Sequence, residues 1–265
     1  MGVPIVLCPL EVERRAIAKA VGLRARVLVC GPGARAITRA MDSLDGDKPP
    51  LVVLCGLAGG VAESLLAPRI GSVLDKDARS YTVPVVPPGS DVEVVLLGLD
   101  EPVLRRHRKE AIASAYGATL VDCESHAFAA AAERLGLRWS IVRGVSDGPT
   151  QSLHECVPGW VDSRGRARRG RILLDAIVHP SIIPSIVRLW MRSRSALKVA
   201  AGRLIELLHA EQRLRLGERG LPPAVLPKRA AAAPGPTVIE QQLGRSAAPT
   251  AAAPPDAGAQ KRSRQ

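Results

Sequence analysis

The chain has 265 residues, 46% of them hydrophobic and 2% aromatic, and a formal net charge of +12. This length suits one domain of about 150–250 residues with appendages, and the apolar content excludes a chain that is disordered throughout. No apolar run reaches the roughly 18–20 residues that a membrane-spanning helix needs. The first residues lack the cationic start of a signal peptide, so we expect a cytoplasmic protein.

The positive charge is concentrated in one region. Residues 161–215 contain twelve basic and four acidic residues, which accounts for eight of the twelve net charges. A nucleic-acid partner is not favoured, because this stretch lacks interleaved aromatic residues and any recognised binding motif. The cysteines form no CxxC pair, which indicates buried thiols in a reducing compartment and no metal site.

Apolar runs alternate with amphipathic segments along the first 150 residues. This alternation predicts an α/β sheet covered by helices on both faces. The predicted strands are 3–8, 24–30, 51–55, 70–75, 81–87, 92–98, 119–121 and 138–143, and the predicted helices are 11–20, 34–43, 102–116 and 124–135.

The composition changes after Trp160. An Arg/Gly loop is predicted for residues 161–171, and residues 180–215 read as mostly helical, with arginines beside Ile, Leu, Val and Trp. From about residue 220 the chain is rich in Ala and Pro, which cannot bury enough apolar surface to fold. We therefore expect a catalytic domain, a basic amphipathic helical extension and a disordered tail, over residues 1–179, 180–218 and 219–265.

A Gly-x-Gly-x-x-Ala pattern, Gly31 to Ala36, follows a predicted strand and opens a helix. It satisfies the dinucleotide-binding pattern only in part, because the next strand ends in Cys55-Gly56 rather than in a ribose-binding acid. A tight turn or an anion-accepting helix start is the better interpretation. Arg35 could then assist Gly31 and Gly33 in binding an anion, although an exposed helical arginine is the more common case.

Four further segments place polar groups or glycines next to predicted strands. They are the glycine loop from Gly56 to Gly60, the acids Glu11 and Glu13, the segment Val121 to Ser125, and the segment Arg143 to Asp147. Each has an ordinary structural explanation as a tight turn, a helix-capping acid or an Asx turn. Since ligands bind at the carboxyl ends of strands in open α/β sheets, a shared site is the functional alternative.

Taken in order, these segments resemble the nucleoside phosphorylase and nucleosidase superfamily over about residues 3–150. The resemblance lies in Cys55-Gly56-Leu57-Ala58-Gly59-Gly60, in Val121-Asp122-Cys123-Glu124 and in Val142-Arg143-Gly144-Val145-Ser146-Asp147. It implies a nucleoside phosphorylase-like three-layer sandwich around a mixed central β-sheet. It also implies cleavage of the N-glycosidic bond of a purine nucleoside, with no cofactor except inorganic phosphate if the reaction is a phosphorolysis.

The resemblance also implies residue roles. Glu124 would bind the ribose hydroxyls, Asp147 would protonate or hydrogen-bond the purine N7, and Glu13 would orient or activate water. Substrate contacts are expected from residues at the same strand ends: Asp122, Cys123, Gly59, Gly60 and Ser146. Leu57 replaces a hydroxyl residue of several members, and no arginine precedes Gly56, so water is favoured over phosphate without excluding it.

A narrower resemblance is to the hopanoid-associated phosphorylases. It lies in Asp122-Cys123-Glu124-Ser125-His126-Ala127 and in Trp160-Val161-Asp162 followed by a basic apolar helix. It implies release of adenine from adenosylhopane, with methylthioadenosine, adenosylhomocysteine or futalosine as alternative substrates. Family members usually pair subunits, so we expect a homo-oligomer.

Two alternatives remain open at this point. The chain is either an enzyme or a non-catalytic nucleoside-binding module with the same fold. The basic helix either packs on the core or lies on an anionic membrane, at the inner membrane face.

Overall fold

The computed structural model describes residues 2–44, 46, 48–89 and 92–217. Within them strands and helices alternate, as the apolar runs predict. The strands are β1 Ile5–Cys8, β2 Arg26–Val29, β3 Val52–Gly60, β4 Arg69–Leu74, β5 Ser80–Thr82, β6 Glu93–Gly98, β7 Leu120–Asp122 and β8 Trp139–Asp147. The helices are α1 Glu11–Val21, α2 Ala34–Asp42, α3 Arg106–Tyr116, α4 Ser125–Arg134, α5 Arg169–Val178 and α6 Ile183–Arg215. The tail predicted for residues 219–265 lies outside the described residues.

The strands of the described residues form one mixed, eight-stranded sheet. Its order is β2-β1-β3-β7-β6-β4-β5, and β8 pairs with β3. Strand β3 is parallel to β1 and β8 and antiparallel to β7. The β3–β8 pairing runs from Val52 opposite Trp139 to Gly59 opposite Asp147. This register places the acid at the end of β8 beside the glycines at the end of β3.

Side chains that alternate along the central strands serve two cores. Ile5 and Leu7 of β1 join the cluster that packs under α2 and α4. Val6 and Cys8 join the opposite cluster, which contains residues of α1 and α6. The period of two in a strand explains why continuous apolar runs predict a sheet buried on both faces. The protein is therefore an α/β three-layer sandwich around a mixed sheet.

The structure differs from the sequence prediction where strands were expected to end. The predicted glycine loop 56–60 is the second half of β3, and residues 144–147 continue β8. The reason is that the parallel pairing of β3 with β8 continues through the glycines. The predicted Arg/Gly loop also ends earlier than expected, because α5 begins at Arg169.

Helix α6 has two unlike halves. From Ala196 to Glu211 it buries a stripe of residues against the sheet and α1. A Cβ on Gly144 of β8 would lie 2.6 Å from the Ala196 carbonyl oxygen, so glycine permits this close contact. The second half of the predicted helical extension is thus part of the core. The first half, up to Ser195, contributes no buried residue.

No single helix of the described residues is both long and apolar enough to cross a membrane. Helix α5 and the segment Pro180–Arg215, bent by 113° at their junction, reach that length and composition only as a pair.

Candidate active site

A cavity of about 220 Å³ lies where β3 and β8 end. Its polar lining is acidic, and among the described lining residues there is no lysine, arginine or histidine. The carboxylates are those of Glu13, Glu101, Asp122, Glu124 and Asp147. Gly59, Cys123 and Ser146 also line the cavity. It therefore brings together most of the residues that the sequence analysis singled out.

Glu13 is fixed by the first turn of α1. Its Oε2 accepts a hydrogen bond from the backbone N–H of Leu10 at 2.8 Å, and its Oε1 accepts one from that of Leu57 at 2.8 Å. Burial raises the pKa of Glu13 from 4.5 to about 7, against the opposing effects of Arg143 and the two N–H donors. Glu11 instead forms ion pairs with neighbouring arginines. Glu13 can therefore gain or lose a proton near neutral pH, as a general base must.

Gly56 makes room for this arrangement. A Cβ at position 56 would lie 2.7 Å from Oε1 of Glu13 and 2.8 Å from Nη1 of Arg143. Both distances are too short for real contacts, so any side chain would displace one of these groups. The glycine in β3 is thus required by the packing of two buried charged side chains against the strand.

Arg143 is completely buried and joins two acids. Its Nε donates to Oδ2 of Asp122 at 2.8 Å, and its Nη2 donates to Oε2 of Glu124 at 3.1 Å. Oδ1 of Asp122 accepts from the backbone N–H of Ser125 at 3.0 Å, at the start of α4. Protein donors thus reach both oxygens of Asp122, which was predicted to contact substrate. Its observed contacts anchor Arg143 and the start of α4.

Glu124 keeps free acceptor capacity toward the cavity. Its Oε1 accepts from the backbone N–H of Gly33 at 2.8 Å, and its Oε2 accepts from Arg143. Each carboxylate oxygen can accept about two hydrogen bonds, so one position on each remains for a ligand. Burial raises the pKa of Glu124, and Arg143 opposes that effect. The geometry suits a pair of adjacent hydroxyls.

Asp147 ends β8 and forms an ion pair with Lys109 of α3. The Lys109 ammonium donates to Oδ2 of Asp147 and, at 2.8 Å, to the carbonyl of Gly148. The hydroxyl of Ser146 lies 2.6 Å from Oδ1 of Asp147 and 3.2 Å from the carbonyl of Ala58. Lys109 is the one buried residue of α3. A buried acid and a buried ammonium therefore share the end of β8.

Gly59, Gly60 and Cys123 complete the predicted contact residues. Gly59 lines the cavity, whereas a Cβ at Gly60 would lie 3.1 Å from the carbonyl oxygen of Asp147, so Gly60 packs behind the acid. Burial raises the pKa of the Cys123 thiol. A protonated thiol is a contact surface rather than a nucleophile.

Two loops supply the apolar wall of the cavity. One precedes α3 and contributes Val103 and Leu104, and the other follows β8 and contributes Leu153 and Val157. The backbone N–H of Leu153 donates to the carbonyl of Leu104 at 2.8 Å, which ties the loops together. Sequence patterns did not define this wall, because apolar residues in loops have no periodicity.

The predicted anion-binding residues have other roles. The N–H of Gly33 is taken by Glu124, so the anion at the start of α2 is a side chain of the protein. Gly31 has a φ of +88°, and a Cβ there would lie 2.6 Å from the carbonyl oxygen of Ser163. Arg35 is exposed, and neither it nor the two glycines line the cavity.

Sequence reasoning assigned no role to Arg143 and missed Lys109. For Arg143 a signal existed, since an arginine inside an apolar strand must find buried partners. Lys109 gave none, because it stands in the charged run Arg106-His107-Arg108-Lys109-Glu110, which is typical of an exposed helix face.

Comparison with known proteins supports the superfamily resemblance. The family model of the phosphorylase superfamily matches residues 91–178, which include Glu124 and Asp147. No curated protein sequence matches the chain significantly.

Solved structures of similar fold cover most of the chain. A futalosine hydrolase of Helicobacter pylori strain 26695 has a TM-score of 0.57 at 12% identity, over 79% of this chain and 98% of its own. A 5′-methylthioadenosine/S-adenosylhomocysteine nucleosidase of the same species has a TM-score of 0.56 at 13% identity, over 79% and 99%. A protein described as a putative nucleosidase of that kind, from Francisella philomiragia, gives 0.54 at 13%, over 79% and 99%. The described chain has the fold of this superfamily, and residues 91–178 carry its sequence pattern.

Proposed function

We propose that this protein hydrolyses the N-glycosidic bond of a purine nucleoside. The observation that carries the proposal is the acidic cavity at the ends of β3 and β8, with Glu13, Glu124 and Asp147 in its wall. Breaking an N-glycosidic bond builds positive charge on the sugar and negative charge on the base. Carboxylates around the sugar and a proton donor at the base stabilise these two charges.

Glu124 is suited to hold the sugar. Its carboxylate is fixed by Arg143 and Gly33 and faces the cavity with one free acceptor position on each oxygen. Adjacent ribose hydroxyls can donate to both oxygens. The negative charge then lies close to the sugar carbon on which positive charge develops.

Two proton transfers are needed: Asp147, at the end of β8, delivers a proton to the base, and Glu13 takes one from water. The bond from C1′ to the base nitrogen breaks, and its electron pair leaves with the base, which takes at N7 a proton that Asp147 relays from the Lys109 ammonium. The Lys109 ammonium donates to Oδ2 of Asp147, and Asp147 lines the cavity, so a proton can pass along this hydrogen bond toward the base. A water molecule adds to C1′ and gives its proton to Glu13, whose pKa of about 7 suits a base.

The charges of the cavity favour water over phosphate as the nucleophile. A phosphate dianion would meet five carboxylates without a cation among the described lining residues. The buried guanidinium of Arg143 forms ion pairs with two acids and does not line the cavity. Neutral water meets no such repulsion.

The test is a purine nucleoside panel assayed with and without inorganic phosphate. We expect base release without phosphate, free sugar as the second product, and no acceleration when phosphate is added. A sugar 1-phosphate as product would overturn the hydrolytic assignment. Tight nucleoside binding without release of base from any substrate would favour a non-catalytic binding module instead.

The panel contains four candidates: adenosylhopane, methylthioadenosine, adenosylhomocysteine and futalosine. The narrower sequence resemblance supports adenosylhopane and hence a role in hopanoid biosynthesis. The apolar wall of the cavity supports a substrate with an apolar 5′ substituent. Assembly into a homo-oligomer and a cytoplasmic location belong to the same proposal, and light scattering on the purified full chain tests the former.

A further inference from the structure

Helix α5 and the first half of α6 expose large apolar side chains in unusual number. Eight of them, 45–68% exposed, follow one another along this stretch: Leu173, Leu174, Ile177, Val178, Ile183, Val187, Trp190 and Met191. We call them the α5–α6 surface. Single exposed leucines are ordinary in soluble proteins, but such a concentration indicates an interaction site.

The position of α6 explains why these side chains remain uncovered. The buried residues of α6, which packs on β8, begin at Ala196, and the earlier turns of the helix contribute none. Ile183, Val187 and Met191 stand at intervals of four and line one groove along the helix. Their spacing puts them on a single face, which the described part of the chain leaves open.

The formal charges between α5 and the middle of α6 have one sign. Between Ala176 and Ile205 the sequence contains Arg188, Arg192, Arg194, Lys198 and Arg203 and no acidic residue. The guanidinium of Arg194 lies 4.8 Å from the centroid of the Trp190 ring. Helices with an apolar face, basic neighbours and an amphipathic aromatic residue are suited to the boundary between headgroups and acyl chains.

We propose that the α5–α6 surface docks on an anionic lipid bilayer, with its apolar side chains at the acyl boundary and its arginines among the headgroups. Pairing with the same surface of a second copy would bring like charges together. A nucleic acid would offer phosphates but nothing to cover the aliphatic side chains.

The first half of α6, which carries part of this surface, lies near the candidate active site. A cavity of about 230 Å³ is lined by α6 residues, among them Ile186 and Leu189, and by Leu153 and Val157, which also line the acidic cavity. Docking would therefore hold the acidic cavity close to the bilayer. The docking proposal itself does not depend on the reaction.

Trp190 provides a direct measurement. It is 57% exposed, whereas the other two tryptophans, Trp139 and Trp160, are 2% and 8% exposed. We expect the tryptophan emission of the full chain to shift to the blue when vesicles of phosphatidylcholine with phosphatidylglycerol are added. Vesicles of phosphatidylcholine alone, and the variant Trp190→Phe with mixed vesicles, should give little shift.

Co-sedimentation with the same vesicles tests the surface itself. We expect the wild-type chain to bind the anionic vesicles at least tenfold better than the neutral ones, and less well as salt is raised. The double variant V187E/M191E should lose at least tenfold in binding. Its matched control is L23E/L214E, which alters two exposed leucines elsewhere and should bind like the wild type.

Equal binding to both kinds of vesicle would overturn the proposal, as would equal binding by V187E/M191E and the wild type. Light scattering on both proteins adds a third criterion. If V187E/M191E dissociates an oligomer and the wild type does not bind anionic vesicles, the surface joins copies of this chain and the bilayer proposal is wrong.

Discussion

The two ends of the acidic cavity stabilise their carboxylates in different ways. Asp147 forms an ion pair with the buried Lys109, whereas Glu13 forms no ion pair among the described residues and accepts two backbone N–H donors. Burial raises the pKa of Glu13 to about 7, although the buried Arg143 guanidinium and the two N–H donors oppose that effect. We call these the ion-paired end, at Asp147, and the basic end, at Glu13, after the role of base that we propose for Glu13.

The largest effect is expected at the ion-paired end. In the proposed mechanism Asp147 passes a proton to the leaving base, and Asp147→Asn removes that group. General acids contribute about 10²–10⁴-fold to such reactions. We therefore expect base release, followed by liquid chromatography, to fall by about 10³-fold. Unchanged release would remove Asp147 from the mechanism.

This variant needs a folding control, because it leaves the ammonium of Lys109 buried without its partner. Breaking one side of a buried ion pair costs about 3–5 kcal/mol of stability. The double variant K109Q/D147N removes both charges and should regain most of that loss in urea unfolding while remaining inactive. If activity returned together with stability, the loss in Asp147→Asn would be one of folding.

At the basic end, Glu13→Gln should lower the rate by about 10²-fold, because the amide cannot accept a proton from water. The base form of Glu13 increases as pH rises through its pKa of about 7. The wild-type rate should therefore increase as the pH rises through about 7, and the residual rate of the variant should not show this increase. If the rate of Glu13→Gln still increased with pH, the increase would come from the titration of another group.

The comparison of the two ends also shows what a sequence can predict. Glu13, Glu124 and Asp147 follow apolar runs, which made a shared site at strand ends one of two interpretations of the sequence. The parallel pairing of β1, β3 and β8 accounts for Glu13 and Asp147, whereas β7, which leads to Glu124, is antiparallel to β3. The partners were harder to predict. Lys109 reaches Asp147 across 38 residues from a helix whose charged sequence indicates exposure. The continuation of β3 through Gly56 was missed because glycine is depleted in strands. The glycine is needed here because Glu13 and Arg143, which are distant in the sequence, pack against it.

A smaller effect is expected from Gly56→Ala. The added Cβ would meet the Glu13 carboxylate at 2.7 Å and the Arg143 guanidinium at 2.8 Å, so one of these groups must move. Displacing a catalytic group by about 1 Å can cost about 10²-fold, and we expect a loss of about 10–100-fold in base release. The matched control is Gly159→Ala, whose Cβ would have no atom within 4 Å and whose activity should stay within twofold of the wild type.

The smallest effect is expected from Arg35→Ala. The side chain is exposed, it lies outside the cavity lining, and the N–H of Gly33 next to it is already occupied by Glu124. If the reaction is a hydrolysis, with water as the nucleophile, this substitution should change the rate less than twofold, with or without phosphate. A phosphate-dependent rate that falls at least tenfold in Arg35→Ala would mean that an anion does bind at the start of α2. The basic end would then serve a phosphate nucleophile rather than water.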